Sequence, residues 1–407
     1  MGHNIGMSEG PPLRVALVLP FYDPRRGDDP QRIIALQPTL AGIAAAEAAR
    51  GMQVGAFQLF PRSAQFEQAG ATFDFVPAPA AFRAAARWLY RAWPRYASPY
   101  YEPAAPLWSR VGAWRPDILH VFGLTLDLNL LLAGQLARRS GKPLVVHYHG
   151  GLPEADPVTL AVRRHNLRAA ARVLFTSREQ AAPWIRAGLL APSRVAEVVE
   201  TSTAIQPIPR AAARALTGMR GEPCCVMVGR LHAVKDPLTA LAGFALIARQ
   251  RPLARLYIYS LSDELRPYCE AIVAATPALA RRVEFRGRVA PERMPAVYSS
   301  ADFLLQASRR EWSGLSVLEA MACGTIPIVS DIPAFRRMTG HGRYGRLFPV
   351  GDPRGLARAV LDLKAEERAE LSGQVRSYFQ GSLSFAALAR DLEAIYRHVA
   401  RAPGNGT

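Results

Sequence analysis

Lysine is scarce in this chain. Of 50 basic residues among 407, only Lys142, Lys235 and Lys364 are lysines, and the rest are arginine. A compositional bias toward Arg and Ala is one expected source of that arginine, and against it each surviving lysine is slightly informative. Cysteine is also sparse: Cys224, Cys225, Cys269 and Cys323 form no C-x-x-C pair and no metal-ligand spacing. That pattern argues against a disulfide framework or a zinc site and suits a reducing cytoplasm. No run approaches the roughly 18 uncharged apolar residues that span a bilayer, and the longest candidate, LTLDLNLLLAGQLA, carries Asp127. The N-terminus lacks a basic region followed by an apolar signal core. The expected location is cytoplasmic, with peripheral association at the inner face of the membrane as a further expectation. Acidic residues are outnumbered, giving a formal net charge of +17. Such an excess suits an anionic partner, whether nucleotide, acidic lipid or nucleic acid. Base-stacking platforms and recognised nucleic-acid motifs are missing, so nucleic acid is set aside.

Half of the residues are hydrophobic, and a chain of this length exceeds what one core usually holds. Two domains are expected. LRVALVLPFY, QVGAFQLF, DILHVFG, PLVVHYHG and RVLFTS are short apolar runs alternating with alanine-rich helical segments. A second series, CCVMVGR, ARLYIYS, VEFRG, DFLLQAS and TIPIVS, is separated by helical patterns at 237–250, 263–275, 291–300 and 314–323. Alternation of this kind predicts parallel sheets covered by helices on both faces. The segment ETSTAIQPIPRAAAR, rich in Pro, Ser and Thr and without a period, reads as the linker. The expected layout is an N-terminal domain over 12–203, a C-terminal domain over 204–383, and a last helix over 384–401. Open parallel sheets bind ligands beyond the carboxyl ends of their strands, so two in tandem predict a central cleft that they face.

The stretch RREWSGLSVLEAMACGTIPIV sets Glu311 on the exit loop of a buried strand and Glu319 inside the following helix. Ser313 is the candidate N-cap and Gly324 the terminator. A helix start leaves backbone N–H groups unpaired around Ser313, Gly314 and Leu315, and its dipole favours an anion. Gly314, without a side chain, permits close approach of a phosphate. A diphosphate there would have one carboxylate toward each end, and carboxylates accept hydrogen bonds from sugar hydroxyls. Alone, two glutamates at this spacing are more simply a solvated loop residue and a helix-surface residue. Upstream, however, VMVGR ends in Gly229 and Arg230, with Lys235 five positions on. A guanidinium fork and a compact ammonium leaving one strand together suit a diphosphate.

This ordered set resembles the retaining GT-B glycosyltransferases of family 4. Their second domain carries G-R, a nearby lysine, a later G-x-V, then E-x7-E running into E-A-M-A-x-G-x-P. The corresponding residues are Gly229–Arg230, Lys235, Gly287–Arg288–Val289, Glu311 to Glu319, and EAMACGTIPIV. The resemblance implies an α/β chain of GT-B fold, two Rossmann-like doubly wound domains about a cleft. It implies transfer of a hexose-type sugar from a UDP- or GDP-sugar, with retention and without a metal or cofactor. By the same resemblance Arg230 and Lys235 hold the donor diphosphate, Glu311 the donor sugar, Glu319 the ribose, and the backbone at Arg288 and Val289 the base. His149, after the strand VVHYH, matches the family's histidine that contacts the donor sugar, with His147 as its nearest competitor. The chain departs from the family at several points. Ile34 and Ala35 stand near the usual Gly-Gly, VVETSTAI replaces the proline-asparagine-glycine motif, Ser260-Leu261-Ser262 replaces Gly-x-Gly, and Asp236 replaces the glycine after the lysine.

The acceptor is open among glycan, lipid-linked and small-molecule classes. AFRAAARWLYRAWPR, residues 81–95, interleaves aromatics with arginines at helical spacing. That pattern suits an anionic membrane surface. Two other readings stand beside transfer: a non-catalytic protein binding nucleotide or a membrane surface, and a GT-B-like sugar-nucleotide epimerase.

Overall fold

A computed structural model describes residues 11–22, 29–36, 38–77, 104–125, 127–153, 156–260 and 264–401. Residues 81–95 lie outside these. The chain divides into two units. Unit 1 comprises 1–175, 181–196 and 389–407, and unit 2 comprises 176–180 and 197–388.

The sheet of unit 1 contains β1 (Arg14–Leu19), β2 (Gln53–Phe60), β3 (Ala64–Gln68), β4 (Ala71–Pro77), β5 (Ile118–Phe122), β6 (Leu144–His147), β7 (Ala170–Phe175) and β8 (Val195–Glu197). Their order is β3-β4-β2-β1-β5-β6-β7-β8. β1 and β5, at the centre, pair in parallel, and every residue of β5 is buried. Such strands read as continuous apolar runs because helices cover both sides. One expectation fails here: β3 runs antiparallel to β4 at the edge of the sheet. The two-residue turn Ala69–Gly70 joins them, with φ of 49° and 79°. Positive φ at both positions matches the twist of a tight hairpin, but Ala-Gly is a weaker sign of it than Asn-Gly.

The sheet of unit 2 contains β9 (Cys224–Val228), β10 (Arg255–Tyr259), β11 (Val283–Gly287), β12 (Phe303–Gln306), β13 (Ile326–Ser330) and β14 (Arg346–Phe348), ordered β11-β10-β9-β12-β13-β14. Its pairings are parallel throughout. β9 leads outward through β10 and β11, whereas β12 leads the other way through β13 and β14. That reversal is the doubly wound pattern, with its switch point between β9 and β12. The stretch read as a linker carries a helix of its own, Arg210–Thr217, whose Arg214 donates to Ser300 O at 3.2 Å.

The helix Phe385–Arg401 begins in unit 2, and from Ala389 its residues belong to unit 1. There Glu393 accepts hydrogen bonds from Arg50 at 2.6 Å and from Arg397 at 2.9 Å. Among the described residues no helix is long and apolar enough to cross a membrane.

Candidate active site

The carboxyl ends of β9 and β12 deliver two loops to the switch point of unit 2. After β9, Gly229 takes φ of +146° with open space where a Cβ would stand. Arg230 follows, exposed and, among the described residues, without an ion-pair partner. The chain then makes a short 3-10 turn, Ala233–Lys235, capped by His232, whose Nδ1 accepts from Val234 N at 3.0 Å. Asp236 sits where the family has glycine, and its φ of 47° is the left-handed conformation that glycine would supply. Asp tolerates that region, and here its carboxylate also caps the next helix by accepting from Thr239 N at 3.2 Å. Its other oxygen pairs with Arg309 at 2.9 Å, while Arg309 N donates to Val234 O at 2.8 Å. The two loops are thereby joined.

That junction brings Lys235 onto Glu311. The ammonium donates to Glu311 Oε1, with side chains 19% and 8% exposed. Ser308 Oγ donates to the same oxygen at 2.8 Å and Gln306 Nε2 at 3.2 Å. Gln180 Nε2 holds the Glu311 backbone carbonyl at 3.3 Å. With three donors converging on Oε1, Oε2 remains the open acceptor among the described residues.

The helix Leu315–Ala322 begins four positions after Glu311. Its N-cap is Gly314 rather than Ser313, because the chain turns there through φ of +56° and no side chain caps the start. A Cβ on Gly314 would lie 2.9 Å from Met338 Sδ and 3.2 Å from Phe335 Cε1, so conformation and packing both require glycine. The first intrahelical donors are Val317 and Leu318, both to Gly314 O. The N–H groups of Gly314, Leu315 and Ser316 therefore lead out of the helix start, a geometry that binds anions. Inside the helix, Glu319 accepts from the buried Tyr298 hydroxyl at 2.8 Å. Burial pushes its carboxyl up to about 7, with the Tyr298 hydrogen bond acting in the opposite sense. Arg288 and Val289 follow β11, two strands from β9 on the same carboxyl edge, with Arg288 exposed. Ser260 N ties that loop to Gly287 O at 2.9 Å.

In unit 1, His149 follows β6 and is half-buried, whereas His147, the competing residue, is fully buried within the strand. Gly150 and Gly151 come next with φ of 91° and 95°. A Cβ on Gly151 would meet Thr125 Cγ2 at 2.7 Å.

Family models match both units: one for the glycosyl transferases group 1 over residues 222–366, the other for the glycosyl transferase 4-like domain over 35–200. The chain belongs to the family-4 GT-B glycosyltransferases. The Xanthomonas oryzae GDP-mannose:cellobiosyl-diphosphopolyprenol alpha-mannosyltransferase is 29% identical over 56% of this glycosyltransferase and 60% of its own length. The 2-deoxystreptamine N-acetyl-D-glucosaminyltransferase of Streptomyces fradiae is 28% identical over 72% and 74%. Among solved structures, sucrose-phosphate synthase from Thermosynechococcus elongatus superposes with a TM-score of 0.67 over 96% of this chain and 100% of that one, at 21% identity. Anabaena HepE in complex with UDP and glucose gives 0.65 over 95% and 100%, at 14% identity.

Sequence reasoning missed the residues that hold the glycosyltransferase's carboxylates in place. Ser308 lies three positions before Glu311, the S-x-x-E spacing of a capping box, and Gln306 is a polar residue within an otherwise apolar strand. Either could have been noticed. Tyr298 and Gln180 leave no such signal, being 21 and 131 positions from their partners.

Proposed function

We propose that the protein transfers a hexose-type sugar from a nucleoside diphosphate sugar to an acceptor, with retention of anomeric configuration. The observation that carries this reading is the Lys235–Glu311 pair beside the Gly314 helix start at the switch point of unit 2. A cation, an acceptor oxygen and a set of outward N–H groups meet the three demands of a sugar diphosphate in one place. Arg230 and Lys235 neutralise the diphosphate together with the helix start, Glu311 Oε2 accepts from a donor sugar hydroxyl, and Glu319 accepts from the ribose. The base lies on the backbone at Arg288 and Val289. By family resemblance His149 contacts the donor sugar near the reacting carbon.

Departure of the diphosphate breaks the C1–oxygen bond, leaving positive charge on the sugar ring and negative charge on phosphate. Fixed cations and oriented N–H groups stabilise the developing negative charge without reorganising. The acceptor oxygen bonds to C1 from the same face, and its proton passes to the departing phosphate oxygen. Two cationic side chains supply the charge that a divalent metal would, so turnover is expected to persist in chelator. Relatives named for GDP-mannose and a solved relative bound to UDP support a UDP- or GDP-linked donor. The relatives' acceptors, a diphosphopolyprenol-linked glycan and an aminocyclitol, support a glycan, lipid-linked or small-molecule acceptor.

A nucleotide-sugar panel screened by thermal shift identifies the donor, since a ligand of the native state raises Tm. Release of nucleoside diphosphate with each candidate then measures turnover. Full turnover at saturating donor in both Arg230→Ala and Lys235→Ala would overturn the assignment.

A further inference from the structure

The interior of unit 1 holds titratable side chains that this chemistry does not use. Glu47, His120, His147 and Tyr396 are each 0% exposed. Ionisable groups seldom enter a core without partners, and these are joined. Tyr396, on the helix Phe385–Arg401, donates its hydroxyl to Glu47 Oε1 at 2.8 Å, and its oxygen lies 2.5 Å from His120 Nδ1. A phenol has one proton. Once that proton is directed at Glu47, the Tyr396 oxygen can only accept, so His120 Nδ1 carries the hydrogen and Nε2 its lone pair. Among the described residues, Nε2 has no hydrogen-bond partner.

From His120 the column continues to the strand ends. Its ring stacks on Phe122 at 4.6 Å and on His147 at 5.3 Å, both at 27°. His149 then meets His147 edge-on at 5.0 Å and Phe122 edge-on at 5.1 Å. Its imidazole therefore lies against two rings, both of which stack on His120. A neutral column keeps this direction with the Glu47 proton on Oε2, which has no hydrogen-bond partner among the described residues, so that Oε1 still accepts from Tyr396. Burial pushes Glu47 up to about 8, the Tyr396 hydrogen bond opposing and Glu393 adding to it. Burial pulls His120 down to about 3, and the charge on His149 acts in the same direction. Burial would also raise Glu393, but hydrogen bonds from Arg50 and Arg397 hold it below its ordinary value, so it is the ionised neighbour.

We propose that Glu47 and Tyr396 are positioning residues for His149: they fix the tautomer of His120 and, through the His147–Phe122 pair stacked on it, the plane of the outer imidazole. The C-terminal helix thereby supplies the hydroxyl that organises a histidine 247 positions earlier in the sequence. The inference rests on the reading of His149 as the donor-sugar contact.

Ring-nitrogen NMR of histidine-labelled protein tests it, with signals assigned through His120→Gln, His147→Gln and His149→Gln. In the wild type His120 is expected as the Nδ1–H tautomer. Tyr396→Phe removes one oxygen atom; it is expected to mix the His120 tautomers, move the ring signals of His149 and lower kcat about tenfold at unchanged donor KM, as loss of an orienting partner does at other sites. Glu47→Gln retains an oxygen that accepts from Tyr396 and is expected to preserve the wild-type His149 signals. Should Tyr396→Phe fold and leave the His149 signals and kcat unmoved, or lower Tm alone, the proposal is overturned. If that variant does not fold, Glu47→Leu carries the same test. The spectrum needs no sugar transfer, so full turnover by His149→Gln together with a shifted His149 spectrum in Tyr396→Phe would refute the donor-contact reading and leave the coupling standing.

Discussion

Glu319 gives two measurements that should move in opposite directions. Its carboxyl is pushed up to about 7 by burial, against the hydrogen bond from Tyr298, so near neutrality the residue is half ionised. In the proposed contact the carboxylate accepts from the ribose with all its lone pairs available, whereas the protonated acid has lost one acceptor site to a proton. About ten-elevenths is ionised at pH 8 and about one-eleventh at pH 6, so donor affinity should weaken about tenfold between them, close to 1.4 kcal/mol. The stability effect has the other sign. An acid whose pKa rises on folding contributes stability that is fully present below its unfolded value of 4.5 and is lost as pH rises through about 7. By pH 8 the loss reaches about 3 kcal/mol. Glu319→Gln keeps the shape and the Tyr298 partner while removing the charge. At pH 8 it should therefore raise Tm and weaken donor binding together, and it should flatten the pH profile of affinity. Titration calorimetry with a sugar nucleotide serves as the assay, because the diphosphate diester does not titrate here, whereas a free terminal phosphate does so near pH 6. A flat wild-type profile from pH 6 to 8, or an unchanged slope in Glu319→Gln, would refute the reasoning.

The other predictions concern the same two units. Gly314→Ala places a methyl 2.9 Å from Met338 Sδ at a left-handed position and should lower stability by about 1–3 kcal/mol, measured by urea unfolding, while donor affinity falls as the helix start shifts. Lys235→Ala leaves Glu311 buried with Ser308 and Gln306 as its side-chain donors; it should cost about 3 kcal/mol at pH 8, and Glu311→Gln in the same background should recover part of that. Arg163 clasps Asp127 at 3.1 and 2.8 Å, with side chains only 6% and 9% exposed. Arg163→Leu strands that carboxylate, so stability should fall by about 3–5 kcal/mol, and Arg163→Leu with Asp127→Leu should be closer to wild type than the single variant in thermal unfolding.

Two repeating series of apolar runs and the spacing of Gly229, Arg230, Lys235, Glu311 and Glu319 were legible in the sequence alone. Each of those features is local: a strand, its exit loop and the start of a helix occupy consecutive residues, so position in the chain fixes position at the sheet edge. The departure at Asp236 was visible as well, although the sequence did not say that an aspartate would take the left-handed conformation and cap the helix that follows. Tertiary structure alone decided what steadies those groups. Gly314, not Ser313, caps the helix because the chain turns there through a left-handed conformation, at a position where Met338 and Phe335 leave no room for a side chain. Tyr298 reaches Glu319 from another helix, and the pairing of Tyr396 with His120 spans 276 positions and with Glu47 spans 349. Periodicity reports only which face of a helix is apolar. Which hydroxyl a returning helix presents to a buried histidine depends on where the chain has folded back, and one side chain's neighbours in sequence carry no record of that.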